Sequence, residues 1–232
     1  MTSKLNANVT VIAVHGAWAD GSSWNKVSTQ LISAGVKVIA AQIPMTSFSE
    51  DVLTIQQLLR AQSGPVVLAG HSYGAAVITA AGANNAKIKG LVYIAGIVPD
   101  QGEAVGQVFM RAAPHQTAPQ LSPDAEGLLW VTQNDFANAI ATDATPVEQA
   151  LMAATQKPIA AICLGEPLKQ AAWKELPSWF LIAENDRMVS PETQRFTALR
   201  AGSKVVSLPV DHCPLMSAPE NVADIILEAA FA

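Results

Sequence analysis

VVLAGHSYGAAVITAAG, residues 66–82, runs four apolar residues into Gly70-His71-Ser72-Tyr73-Gly74 and then into an alanine-rich segment. An apolar run rich in Val and Leu fits a strand buried on both faces, and the alanine-rich run fits a buried helix. A serine between two glycines, where a strand gives way to a helix, fits a sharp corner that exposes its hydroxyl. The following helix then aims its first backbone amides at that hydroxyl. Serine is a poor nucleophile unless a neighbouring base takes its proton and a third group orients that base. The reading of Ser72 as a nucleophile therefore requires companions elsewhere in the chain.

Outward from this stretch the same rhythm repeats. Residues 9–15, 36–42, 65–70 and 90–96 are strand-like, and 22–34, 50–62 and 72–84 carry helical patterns. Ser49-Glu50-Asp51 offers a capping start for the second helix, and Gly35 and Gly64 offer stops. Alternating strands and helices with right-handed crossovers give a doubly wound, mostly parallel sheet of about six strands. From about Pro99 to Glu175 the rhythm breaks into scattered Pro and Gly with helical patches at 136–142 and 147–156. It returns with strands at 179–183 and 204–208 and helices at 191–201 and 219–230. The expected organisation is a core of residues 1–98 and 176–232 with a mainly helical cap inserted over residues 99–175.

The base and acid should follow the serine on later strand ends, in the order Ser, Asp or Glu, His. Of four histidines, His212 follows the last strand in a short loop and is the expected base. His15 should order its own loop, His71 should point into the sheet–helix packing, and His115 should lie on the surface. Asp186, after the strand at 179–183, is the expected acid, in preference to Glu184, Asp100 and Asp211. The oxyanion of an acyl-transfer intermediate needs donors, each worth about 3 kcal/mol in the transition state. The amides of Tyr73 and of Ala17, in the glycine-rich HGAWADGSSW loop, are the expected pair. Trp18, Phe109, Trp130 and Met152 are the named candidates for a substrate pocket, with Met110, Leu128, Leu129 and Ile162 behind them.

Composition narrows the function further. The 232 residues are 50% hydrophobic and 14% charged, with a net charge of −5. That balance gives no electrostatic case for nucleic acid or an anionic membrane as partner. Two cysteines, Cys163 and Cys213, are too few for a disulfide framework and show no zinc spacing. No metal or cofactor is implied, and the partner expected is a small-molecule ester. A homodimer is compatible with the sequence but required by nothing in it. No run approaches the length of a membrane span, and the first residues do not read as a leader, so a cytoplasmic protein is expected.

His15-Gly16-Ala17-Trp18, Gly70-His71-Ser72-Tyr73-Gly74, Asp186 and Asp211-His212 together resemble the α/β-hydrolase family, in order and over nearly the whole chain. The resemblance implies a Ser-His-Asp triad under a cap, with the family's front antiparallel strands missing because the chain starts at its first parallel strand. More narrowly the chain is similar to small plant esterases, hydroxynitrile lyases and their bacterial relatives. The lyases carry a lysine after the catalytic histidine, where this chain has Cys213, so ester hydrolysis is expected ahead of cyanohydrin cleavage. A serine at position 72 rather than an aspartate argues against epoxide-hydrolase and dehalogenase chemistry. A non-catalytic ligand binder on the same fold is the alternative of a different class.

Overall fold

The computed structural model describes residues 9–232. The absence of a leader was read from residues that lie mostly before Val9, outside this range. In chain order, β1 (Thr10–Val14), α1 (Asn25–Ser33), β2 (Lys37–Ala41), α2 (Phe48–Arg60), β3 (Val66–His71), α3 (Tyr73–Ala81) and β4 (Ile88–Ile94) form the first half of the core. Then come α4 (Val105–Phe109), β5 (Leu128–Leu129), α5 (Gln133–Asp135), α6 (Pro146–Thr155) and β6 (Ile159–Ala160). The core resumes with β7 (Ser178–Ala183), α7 (Pro191–Arg200), β8 (Lys204–Leu208), α8 (Pro214–Ser217) and α9 (Pro219–Phe231).

Six strands form one sheet in the order β2-β1-β3-β4-β7-β8. Every pairing in it is parallel. The two-residue period of a strand sends alternate side chains to opposite faces. Ile12, Val14 and Leu68 pack with Ile55 and Leu59 of α2 and Val77 and Ile78 of α3. Val11, Ala13, Val67 and Ala69 pack on the other face with Val27 and Leu31 of α1 and Ile225 and Ile226 of α9. This is the doubly wound, parallel-stranded architecture expected from the alternation. The central strands β1, β3 and β7 are buried throughout, whereas β2 and β8 are partly exposed edges.

Several local expectations are corrected. α2 starts at Phe48, because the Ser47 hydroxyl, not the Ser49 region, accepts the Glu50 amide as the cap. It ends at Arg60 with Ala61 as its C-terminal cap, before Gly64. The patch at 136–142 is one helical turn followed by a wider π-type turn over Phe136–Ile140, so its apolar residues do not keep a 3.6-residue register. β5 and β6, two residues each and antiparallel, were not anticipated, since two-residue strands carry no readable alternation.

The segment between β4 and β7 lies over the end of the sheet where β1, β3 and β7 finish. Leu129, Val131, Phe136, Ile140, Ile159 and Cys163 join the core cluster on the α2–α3 face. Polar ties hold the same segment down: Lys157 Nζ donates to the Ile43 carbonyl, and Arg200 pairs with Glu103 at 2.8 Å. No helix among the described residues is long and apolar enough to cross a membrane.

Candidate active site

The corner after β3 is built by backbone crowding. A Cβ on Gly70 would lie 2.6 Å from the Gly74 carbonyl oxygen, and one on Gly74 would lie 2.5 Å from the Val14 oxygen. Both glycines are needed so that the corner can close against itself and against β1. Ser72, between them, has φ 51° and ψ −118°. A non-glycine residue in such a conformation carries about 1–3 kcal/mol of strain and persists only where its surroundings hold it.

Ser72 Oγ lies 2.9 Å from His212 Nε2, and His212 Nδ1 lies 2.6 Å from Asp186 Oδ2. All three side chains are buried. The loop after β7 delivers Asp186, and the loop after β8 delivers His212. With Nδ1–H donating to the carboxylate, Nε2 is left as the acceptor facing the serine hydroxyl. Asp186 Oδ1 accepts the Met188 and Val189 amides, each at 2.8 Å, and Oδ2 also accepts Gln194 Nε2 at 2.8 Å. The Gln194 amide is itself fixed, since its Oε1 accepts the Ala183 amide and its Nε2 also donates to the Val189 carbonyl. Sequence reasoning missed Gln194; its signal was a polar residue on the inward face of α7, legible only once the strand order is known.

The competing acids are engaged elsewhere. Glu184 pairs with Arg195, and Asp100 pairs with Lys174 at 2.6 Å. Asp211 Oδ1 accepts the Cys213 amide and the Ser217 hydroxyl, while its Oδ2 accepts the Asp143 amide at 2.9 Å. Asp143 returns the bond by accepting the Asp211 amide at 3.2 Å. Asp211 thus shapes the loop that carries His212, and burial pushes its carboxyl above the usual range.

His71 departs from expectation. Its ring lies beside that of His212, centroids 5.0 Å apart, and its Nε2 is 2.7 Å from the His212 carbonyl oxygen, to which it donates. It does not point into the sheet–helix packing, because the turn at Ser72 swings the preceding residue toward the β8 loop. Burial first, and the neighbouring His212 second, push His71 down to about 3. It is neutral at pH 7, so an imidazolium forming on His212 meets no cation there. His15 donates from Nδ1 to the Gly16 carbonyl and accepts the Ile43 amide on Nε2, tying its own loop to the end of β2. His115 is exposed, beside Thr117.

Ala17 and Tyr73 line a cavity together with Ser72, Phe109 and Met188. A second cavity, against His212, is lined by Met152, Phe136 and Met216, and again by Ala17 and Trp18. Trp18 has φ 58°, is buried, and donates its indole N–H to the Leu129 carbonyl of β5 at 2.9 Å. The structure does not bring Trp130 to either cavity: it is 50% exposed and its indole donates to Asp124. Met110 and Ile162 are also exposed, and Leu128 lines neither cavity. The backbone turns Trp130, Met110 and Ile162 outward, while Leu128 is half-buried.

Tyr73 adds a contact that the sequence did not suggest. Its hydroxyl donates to Asp51 Oδ2 at 2.6 Å, and Asp51 Oδ1 accepts the Met45 amide at 2.7 Å. Burial outweighs these bonds and raises the Asp51 carboxyl to about 6. Cys163 and Cys213 are unpaired and buried, and burial raises both thiols, Cys163 to about 12. Among the described residues no three His, Cys, Asp or Glu side chains are grouped as a metal site would need.

Residues 11–225 match the model of the alpha/beta hydrolase family. A probable hydrolase, R7, from a Phoma species is 27% identical over 95% of this chain and 97% of its own length. Methylesterase 3 of Arabidopsis thaliana is 24% identical over 95% of each chain. Among solved structures, polyneuridine aldehyde esterase superposes with a TM-score of 0.84 at 19% identity, covering 94% of this chain and 98% of that one.

Proposed function

This chain belongs to the α/β-hydrolase family, and we propose that it hydrolyses carboxylic esters through an acyl-enzyme on Ser72. The observation that carries the reading is the continuous line from Ser72 Oγ through His212 to Asp186, at 2.9 and 2.6 Å. In this mechanism Ser72 attacks the ester carbonyl while His212 Nε2 takes its proton. Asp186 stays ionised, holds the tautomer and stabilises the imidazolium. The oxyanion forms beside the amides of Ala17 and Tyr73. His212 then gives its proton to the leaving alcohol, and water repeats the sequence to release the acid.

The similarity to Methylesterase 3 supports an ester as the bond cleaved. Cyanohydrin cleavage is disfavoured by Cys213, a buried thiol raised well above its ordinary range and so neutral beside His212. A cation for a departing cyanide is missing at that position. The test is hydrolysis of p-nitrophenyl esters from acetyl to decanoyl by wild type and Ser72→Ala, with a fluorophosphonate to label the nucleophile. Turnover and labelling lost together in the variant support the reading, and an active Ser72→Ala enzyme refutes it.

A further inference from the structure

We propose that Asp51, which lines neither cavity, is a positioning residue: through the Tyr73 hydroxyl it holds the Tyr73 backbone N–H where the oxyanion forms. The proposal rests on the acyl-enzyme reading above and adds to it a residue outside the triad and the oxyanion donors. Within Gly70-His71-Ser72-Tyr73-Gly74 few side chains are free to anchor the corner. The glycines have none, and that of Ser72 must stay available to the substrate. His71 ties one side of the corner to the His212 carbonyl at 2.7 Å. Tyr73 ties the other side to Asp51 of α2 at 2.6 Å.

The Ser72–Tyr73 peptide is what these ties orient. A trans peptide carries its C=O and N–H on opposite sides of one plane, so fixing one directs the other. The Ser72 carbonyl accepts the Ala75 amide at 3.1 Å and the Ile97 amide at 3.2 Å, which holds the oxygen side of the plane. The Tyr73 side chain holds the other side. Its ring lies edge-on to Phe48 with centroids 6.2 Å apart, and its hydroxyl, next to Cys163, donates to Asp51. Tyr73 opens α3, so its amide has no acceptor within that helix and is free for an oxyanion.

Asp51 is itself fixed from the far side. Its Oδ1 accepts the Met45 amide at 2.7 Å, and the Met45 carbonyl accepts the Ala160 amide of β6 at 3.0 Å. Met45 is buried with φ 57°, a conformation that persists only where its surroundings hold it. A carboxyl offers one oxygen to each of the two donors, whereas an asparagine has a single oxygen. Burial, and after it Asp51, raises the Tyr73 hydroxyl above the ordinary range, so it stays a donor. Asp51 forms no ion pair among the described residues. Burial raises its carboxyl, so the ionised group costs stability. The tie is therefore not accounted for as a stabilising bond; what it supplies is position.

The test uses the full chain, with Tyr73→Phe and Asp51→Ala cutting the same bond from its two ends. It reads kcat and KM for p-nitrophenyl acetate and Ki for phenyl trifluoromethyl ketone. On the ketone, Ser72 Oγ bonds to the carbonyl carbon, the C=O π pair becomes the oxyanion, and the serine proton moves to His212 Nε2. Removing an oxyanion donor costs about 10²–10³-fold in kcat, and misplacing one costs less. Tyr73→Phe should therefore lower kcat by about 10- to 100-fold and leave KM within about 3-fold. The ketone Ki should rise by the factor by which kcat/KM falls, since both report the held oxyanion. Adding Tyr73→Phe to Asp51→Ala should change kcat by less than about 2-fold, because one bond is cut twice. A variant that melts at lower temperature yet keeps kcat and Ki within about 3-fold of wild type overturns the proposal. Losses that multiply in the double variant overturn it too. If one single variant fails to fold by circular dichroism, the other decides by kcat and Ki. All these outcomes leave the ester reading intact. A wild type that hydrolyses no ester, or a Ser72→Ala variant that does, overturns that reading and the proposal with it.

Discussion

The carboxyl-terminal edge of the sheet and the segment that covers it are built to different standards. At the sheet edge, Asp186 is held by two backbone amides, a glutamine side chain and His212, and Ser72 sits in a conformation only crowded backbone can maintain. Over it, α4 has five residues, β5 and β6 have two each, and α6 has no buried residue at all. Val147 of α6 is 78% exposed. Polar ties between the two include the Trp18 indole to Leu129, Lys157 to Ile43 and the Asp143–Asp211 pair. Buried, multiply bonded side chains are concentrated at the edge, while the segment over it carries the shorter elements and the more exposed helix.

The contrast is broken most directly at the edge. Ser72→Ala should lower kcat by about 10⁴-fold or more for every ester, because the catalytic groups act as one unit. Circular dichroism should show the fold retained. A loss confined to some esters would place the chemistry partly in the cover. Asp51 gives the next largest effect, through stability. Its carboxyl titrates near 6 in the folded chain, above the ordinary carboxylate value, because of burial. Between pH 4 and 6 the folded state therefore holds more protons than the unfolded one, and this group's contribution falls as pH rises. The difference is on the order of 3 kcal/mol. Asp51→Asn should remove that slope, so the Tm difference between variant and wild type should grow in the variant's favour from pH 4.5 to 7.5. Parallel curves would contradict the assignment.

Gln194→Leu tests the support behind the acid. It leaves the Ala183 amide without its side-chain acceptor and removes one donor from Asp186, costing about 1–3 kcal/mol of stability by chemical denaturation. It should also lower kcat more than it raises KM, since the orientation of His212 is what loosens. Trp18→Phe is the smallest change. It keeps the ring between the two cavities and removes the bond to Leu129, for about 1 kcal/mol. It should shift ester preference more than it slows the favoured ester; a uniform rate loss would mean that Trp18 serves the edge instead of the cover.

The same division governs what could be read in the sequence. The strands at 66–70 and 179–183 were legible because burial on both faces leaves continuous apolar runs, and Ser72, Asp186 and His212 were legible as residues at their ends. Gln194 and the Asp51–Tyr73 contact were not, since each depends on which helix packs against which strand, a matter of distant residues. In the cover, β5 and β6 are too short to alternate, and the π-type turn at Phe136–Ile140 displaces a helical pattern. Trp130 was misplaced for a related reason: an aromatic residue in a poorly periodic segment gives no sign of its facing, and this one faces out to Asp124.

The central claim is a covalent one, so the most direct measurement is mass spectrometry of the protein quenched during turnover of a p-nitrophenyl ester. The account predicts one acyl group added, on the peptide that contains Ser72, and its absence from Ser72→Ala. Turnover with no adduct on Ser72, or an adduct on another residue at a competent rate, would contradict it.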